Sequence, residues 1–179
     1  MNGIFDKFNA VSGSVVPYFM DMNGKISIIP SKHNTVLLSS RGILANLMAG
    51  KSNYKPSHIG FVVNSNLTNS TISTSYGMSE LLAGASSSAA ISYAGLLEPT
   101  VRANTVTFTT HTGLIYNNNS GVVERMLTGT VNRAILVCAT GADGYQPFSA
   151  VDFDGIVIPE SSYFGLYWTI TFGDKSEET

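Results

Sequence analysis

A mostly β domain, a β-sandwich or barrel with one or two short helices and an extended N-terminal arm, is predicted by three features of the sequence. In SYFGLYWTITF (162 to 172), Phe164, Leu166, Trp168, Ile170 and Phe172 fall on one face and Tyr163, Gly165, Tyr167, Thr169 and Thr171 on the other. A period of two held that long is a strand with one buried side. TVTFTT (105 to 110) alternates in the same way, with Val106 and Phe108 opposed to threonines. NRAILVCAT (132 to 140) is instead almost continuously apolar, which suits a central strand covered on both faces.

The remaining elements follow in chain order. Residues 1 to 24 carry Ile4, Phe5, Phe8, Val15, Val16, Tyr18 and Phe19 with no clean period, too many large apolar groups for a solvated tail. They read as an arm that lies on its own body or on a neighbour, with inter-subunit contact as its expected role. Asn23-Gly24 supplies hairpin turn chemistry. The β-rich domain is expected from 25 to 173, beginning with KISII (25 to 29), which Pro30 ends.

NTVLL then leads into a helix at about residues 39 to 49. Ile43, Leu44, Leu47 and Met48 give it one apolar face, Ser39 or Ser40 can cap it, and Gly50 fits the left-handed position past its end. AGKS at 49 to 52 is therefore a helix stop and not a phosphate loop. The first glycine of G-x-x-x-x-G-K-[ST] is replaced by Ala45, and the helix precedes the motif where it should follow.

HIGFVV (58 to 63) is a strand, Asn64 to Tyr76 a polar loop or edge hairpin, and MSELLAG (78 to 84) a short helix stopped by Gly84. GLIY (113 to 116) reads as a strand leading to the Asn117 to Gly121 turn. Gly141 to Gly144 turns the chain after the central strand, and GDKSEET, with 174 to 179 as its end, is a solvated tail.

Composition narrows the function. Length 179 suits one domain. Charged residues make up 12%, about half the roughly 25% of ordinary globular domains, while 22 Ser, 16 Thr and 14 Asn supply the polarity. Net charge is what keeps monomers apart, so this surface suits a subunit in permanent contact with others. A net charge of −2 without a basic stripe argues against nucleic acid, and no apolar run is long enough to span a membrane. The opening MNGIFDKFNAVSGS lacks the layout of a signal peptide, so a soluble protein made in the cytoplasm is expected.

No constellation of reactive groups emerges. Cys138, the single cysteine, sits in an apolar run as a small core residue. His33, His58 and His111 lack metal-ligand spacing. Asp21-x-Asn23-Gly24, Asp143-Gly144 and Asp152-x-Asp154-Gly155 read as turns, since position 12 from Asp152 is Tyr163 where a calcium loop needs a glutamate. Glu80, Glu98, Glu124 and Glu160 are isolated, and a G-x-S-x-G elbow is missing. No catalytic residue, cofactor or metal is expected. Three N-x-[ST] sequons are what so Asn-rich a chain gives by chance. Tyr163 and Tyr167, on the polar side of the last strand, suit a protein interface or a sugar platform, or ordinary cross-strand packing.

The order of parts resembles a family of small tailed-bacteriophage virion proteins, similar to tail-collar and tail-fibre-attachment modules. NTVLLSSRGILANLMAGKSNYKPSHIGFVV is similar to its strand, G-x-x-x-L-A-x-L-x-A-G helix and T-H-I-type strand. NTVTFTT (104 to 110), NRAILV (132 to 137) and YWTITF (167 to 172) resemble its later strands. The family's glycine-rich loop is replaced here by NSNLTNS, and the N-terminal arm is additional. The resemblance implies a non-enzymatic virion structural protein without catalytic residues, located in the virion and made in host cytoplasm. Its partners would be other virion proteins and copies of itself. A capsid decoration or head-fibre protein is the alternative, and a carbohydrate-binding host-adsorption module using Tyr163, Tyr167 and the Asn-rich loops is the alternative of another class.

Overall fold

Strict alternation in the C-terminal segment sets the architecture, because it leaves one side of a long strand in need of cover. A computed structural model describes residues 11–68, 71–85, 90–115, 126–140 and 144–173. Its strands and helices are β1 (Val11–Asp21), β2 (Ile26–Ile28), β3 (Lys32–His33), β4 (Thr35–Val36), α1 (Ser39–Met48), β5 (Pro56–Val63), α2 (Met78–Leu81), β6 (Ile91–Gly95), β7 (Thr100–Arg102), β8 (Thr105–His111), β9 (Gly129–Ala139), β10 (Tyr145–Ile158) and β11 (Ser162–Phe172). They form two antiparallel sheets. The first runs β2-β1-β11-β8-β7 with β3 also on β1, and the second β4-β10-β9-β5-β6. The mostly β prediction holds, and it resolves to a sandwich with two short helices.

The core lies between the sheets. Phe164, Leu166, Trp168 and Ile170 of β11 are fully buried there with Val15 and Phe108, against Ile59, Phe61, Leu136, Phe148 and Val151 of the second sheet. Ile43 of α1 enters the same core, with Leu44 and Leu47 beside it. Met48 does not: it is 92% exposed, because the helix has turned its last residue outward. Leu38 and not Ser39 or Ser40 occupies the N-cap position, and Ser39 Oγ donates to the Pro147 carbonyl at 2.6 Å. Gly50 does stop the helix, at φ +81°.

Residues 11 to 24 correct the reading of an arm. Val11–Asp21 is an inner strand that pairs with β11 over its whole length, from Val11 opposite Phe172 to Asp21 opposite Ser162. The domain therefore already includes Val11, well before residue 25. Its period of two was masked because both sides carry apolar groups: Val15, Pro17 and Phe19 point inward, and Val16 and Tyr18 outward. The turn after β1 is as predicted, with Gly24 at φ +80° and Asp21 Oδ1 accepting the Asn23 and Lys25 N–H groups at 2.9 Å. Residues 1 to 10, with Ile4, Phe5 and Phe8, and the 174 to 179 tail lie outside the described residues, as does the 117 to 121 turn.

Two further segments depart from expectation. Around GLIY, Thr112–Leu114 form a 3-10 turn and Ile115 makes an isolated bridge to Ala94. The Asp152 to Gly155 stretch, read as a turn, is a bulge inside the 14-residue β10, where the register against β9 jumps between Asp152 and Ile156.

Strand β9 is central and covered on both sides, as its composition requires. Ala134, Leu136 and Cys138 face the inter-sheet core. Ile135 and Val137 face a second cluster with Leu37, Val62, Leu81 and Ala150, packed against Leu67, Ile72, Tyr76 and Met78. The Ser/Thr/Asn tract is thus a cover over the second sheet, its few apolar residues turned inward. Arg133 is fully buried under this cover. Its Nε and Nη2 donate to Asp152 Oδ1 and Oδ2 at 2.6 and 3.0 Å, and its Nη1 donates to the Leu81 carbonyl at 2.7 Å. One side chain thereby ties β9 to β10 and to α2.

Removing one member of a buried ion pair strands the other charge. Asp152→Ala is expected to lower unfolding free energy in urea by about 3 kcal/mol. Asp154→Ala, whose carboxylate is exposed and meets Lys32 Nζ at the surface, should leave the midpoint nearly unchanged.

Candidate functional site

Because residues opposite each other in an antiparallel pair point the same way, the inward set of β11 fixes what faces out across the whole first sheet. Outward positions are Ser12, Ser14, Val16, Tyr18 and Met20 on β1, Tyr163, Gly165, Tyr167, Thr169 and Thr171 on β11, and Thr105, Thr107, Thr109 and His111 on β8. None is a carboxylate or an amine. Ile26 and Ile28 of β2 extend the face at one edge and are both exposed, and Arg102 of β7 supplies a cation at the other.

The face is held by local contacts. Tyr18 lies across Gly165, where a Cβ would come within 2.1 Å of Tyr18 Cζ, so only glycine fits beneath the ring. The Tyr18 hydroxyl donates to the Thr110 carbonyl at 3.2 Å, and its ring centroid is 4.7 Å from that of Tyr167. Burial, and secondarily the neighbouring Tyr167 phenol, push the Tyr18 pKa up to about 12. Thr107 and Thr169 hydroxyls meet across the strands at 3.0 Å. Tyr163 packs on His111 at 5.5 Å, and His111 Nδ1 accepts the Gly113 N–H at 3.2 Å.

These contacts sort the residues expected to interact. Tyr163, Tyr167 and Val16 stand half-buried on the outer face. Tyr18 shares that face but is only 3% exposed, absorbed into the sheet's own packing. Val15 is fully buried in the core and Phe19 packs against it, so neither is free for a neighbour. The correction has one cause: these residues belong to a paired strand.

An aromatic group on the second sheet has no signature in the sequence pattern. Tyr93 and Tyr145 stack at 3.9 Å, and His58 meets Tyr145 edge-on at 5.2 Å. Gly60, opposite Tyr93, makes room for Ile91 and Tyr93 together, since a Cβ there would lie 2.7 Å from Ile91 Cδ1 and 3.0 Å from Tyr93 Cε1. A paired glycine and tyrosine on adjacent strands is the only signal, and it cannot be read before the pairing is known.

Cys138 is buried, and that burial pushes its thiol up to about 12, the reverse of what a nucleophile needs. Among the described residues no group of three His, Cys, Asp or Glu side chains is placed to hold a metal, and no helix is long and apolar enough to cross a membrane. Compared with protein-family models, with characterised proteins and with solved structures, the chain finds no match.

Burial lowers the pKa of His111 and His58 below 6.5. A folded-state pKa below the unfolded value gives stability that is present above about pH 6.5 and is lost as pH falls. Urea midpoints are expected to drop between about pH 7.5 and about pH 5, and replacing both histidines by glutamine should flatten that drop.

Proposed function

We propose that this chain is a non-enzymatic structural protein of a tailed-bacteriophage virion, a tail-associated or fibre-attachment component that assembles through contacts with copies of itself and with other virion proteins. The observation that carries the reading is the outer face of the first sheet. It is a broad threonine and tyrosine surface whose three long strands present neither carboxylate nor amine. Tyrosine is enriched and lysine and glutamate are depleted at protein interfaces, whereas a free surface is ordinarily rich in charge.

Size supports a second copy as the occupant. Strands about 4.8 Å apart, of eleven residues in β1 and β11 and seven in β8 with short strands at the edges, give the face roughly 600 Å², approaching the ~800 Å² per partner of a standard stable interface. Two such faces meeting about a two-fold axis bring no like charges together at their centres, and threonine hydroxyls can donate and accept across the axis. Further support comes from the segments that resemble the phage family. They fall on α1, β5, β8, β9 and β11, which include the central strands of both sheets.

Thr107→Glu places a carboxylate in the middle of the face, and twofold symmetry would duplicate it in the contact. Sedimentation velocity is expected to find an oligomer for the unchanged chain and a monomer for the variant, with the β-sheet circular dichroism spectrum of the parent showing that the variant is folded. A lone monomer at every concentration, or a variant that assembles as well as its parent, would refute the reading.

A further inference from the structure

The second sheet carries a separate feature, a cleft of about 330 Å³ at the end of its cover. It opens where β9 loses register with both neighbours. Pairing to β5 jumps from Val62–Arg133 to Val63–Val131, skipping Asn132, and pairing to β10 jumps over residues 153 to 155. Such bulges re-aim side chains and gather beside binding sites. Asn132 is turned into the cleft with Asn66, Leu67, Asp152 and Asp154 around it.

Charge and hydrogen bonding restrict what the cleft can hold. Arg133 at its floor is neutralised by both oxygens of Asp152, and the Asp154 carboxylate is engaged by Lys32. An anion would meet two carboxylates, and a divalent cation would meet Asp152 oxygens already committed to a guanidinium. A neutral ligand avoids both penalties. Asn132 is held by its Oδ1, which accepts the Ser65 N–H at 3.0 Å, so its Nδ2 donor is left uncommitted among the described residues. The Asn66 amide is likewise uncommitted, and the carboxylates retain lone pairs beyond those used by Arg133 and Lys32.

Amide donors beside carboxylate acceptors, Asn132 and Asp152 held by their own hydrogen bonds and Asn66 and Asp154 at the exposed rim, with Leu67 as an apolar contact, match groups that donate and accept at once. We propose that this cleft binds a neutral polyhydroxylated ligand, one saccharide unit, through Asn132, Asn66, Asp152 and Asp154. The volume is in the range of small-molecule sites and suits a single ring. The inference does not rest on the assembly reading, since the cleft lies on the other sheet from the threonine and tyrosine face.

Saturation-transfer difference NMR on the full chain with D-glucose, D-galactose, N-acetyl-D-glucosamine and L-rhamnose tests it. At least one sugar should give signals. Asn132→Asp keeps the acceptor for Ser65 and removes the donor, and should weaken binding about tenfold, the worth of one hydrogen bond. Asn66→Ala, at an exposed position, should weaken it several-fold, and Thr107→Glu should leave it unchanged. Signals from none of the four sugars, or signals indifferent to both asparagine variants, would overturn the proposal. So would thermal stabilisation of the unchanged chain by calcium chloride or sodium phosphate that Asp154→Ala or Asn132→Asp abolishes, since the cleft would then be an ion site.

Discussion

Eleven residue pairs between β1 and β11 join the beginning and end of the described chain, and the rest of the molecule depends on that pairing. It places Val15 against Trp168 and Phe19 against Phe164, which completes the inner face of the first sheet. It also forces Tyr18 and Tyr167 to the other side. With a period of two there is no third place for them: a slip of one residue would expose Trp168 and bury the threonines.

That second sheet solves a different problem. Its central strand is apolar on both faces, and a sandwich supplies only one partner sheet. The segment after β5 provides the other cover with Leu67, Ile72, Tyr76 and Leu81 on a largely polar strip. Arg133 anchors this cover by donating to Leu81, at the cost of burying a guanidinium that Asp152 must satisfy. The chain devotes one covering segment to the second sheet, while the outward residues of the first remain threonine and tyrosine. Among the described residues one sheet has a covering segment on its outer face and the other does not, and it is on this asymmetry that the proposed assembly role rests.

The sequence made legible what one strand can declare alone. β11 and β8 announced their buried sides, β9 its double burial, Gly50 the end of α1 and Asn23-Gly24 the first hairpin. β1 was hidden because Pro17 and outward Val16 and Tyr18 blur its period, and because its partner lies at the far end of the chain. β10 was hidden by its own bulge, whose Asp-x-Asp-Gly composition is also that of a turn. The surface site was partly visible, in Tyr163 and Tyr167. The cleft at Asn132 was not, since it exists only where three strands fall out of register together, a property of pairing and not of any segment.

On the proposed reading as a virion component, the chain would hold its place by many modest contacts, and repetition makes such contacts tight. Threonine and tyrosine serve that purpose: they bury area, satisfy hydrogen bonds across an interface and stay wettable before assembly. The most direct test is a single-particle cryo-electron microscopy map of the assembled protein. A second copy is expected to sit over Thr107, Tyr167 and Thr169 on the first sheet. An assembly in which that face is open to solvent, with subunits joined through other surfaces, would contradict it.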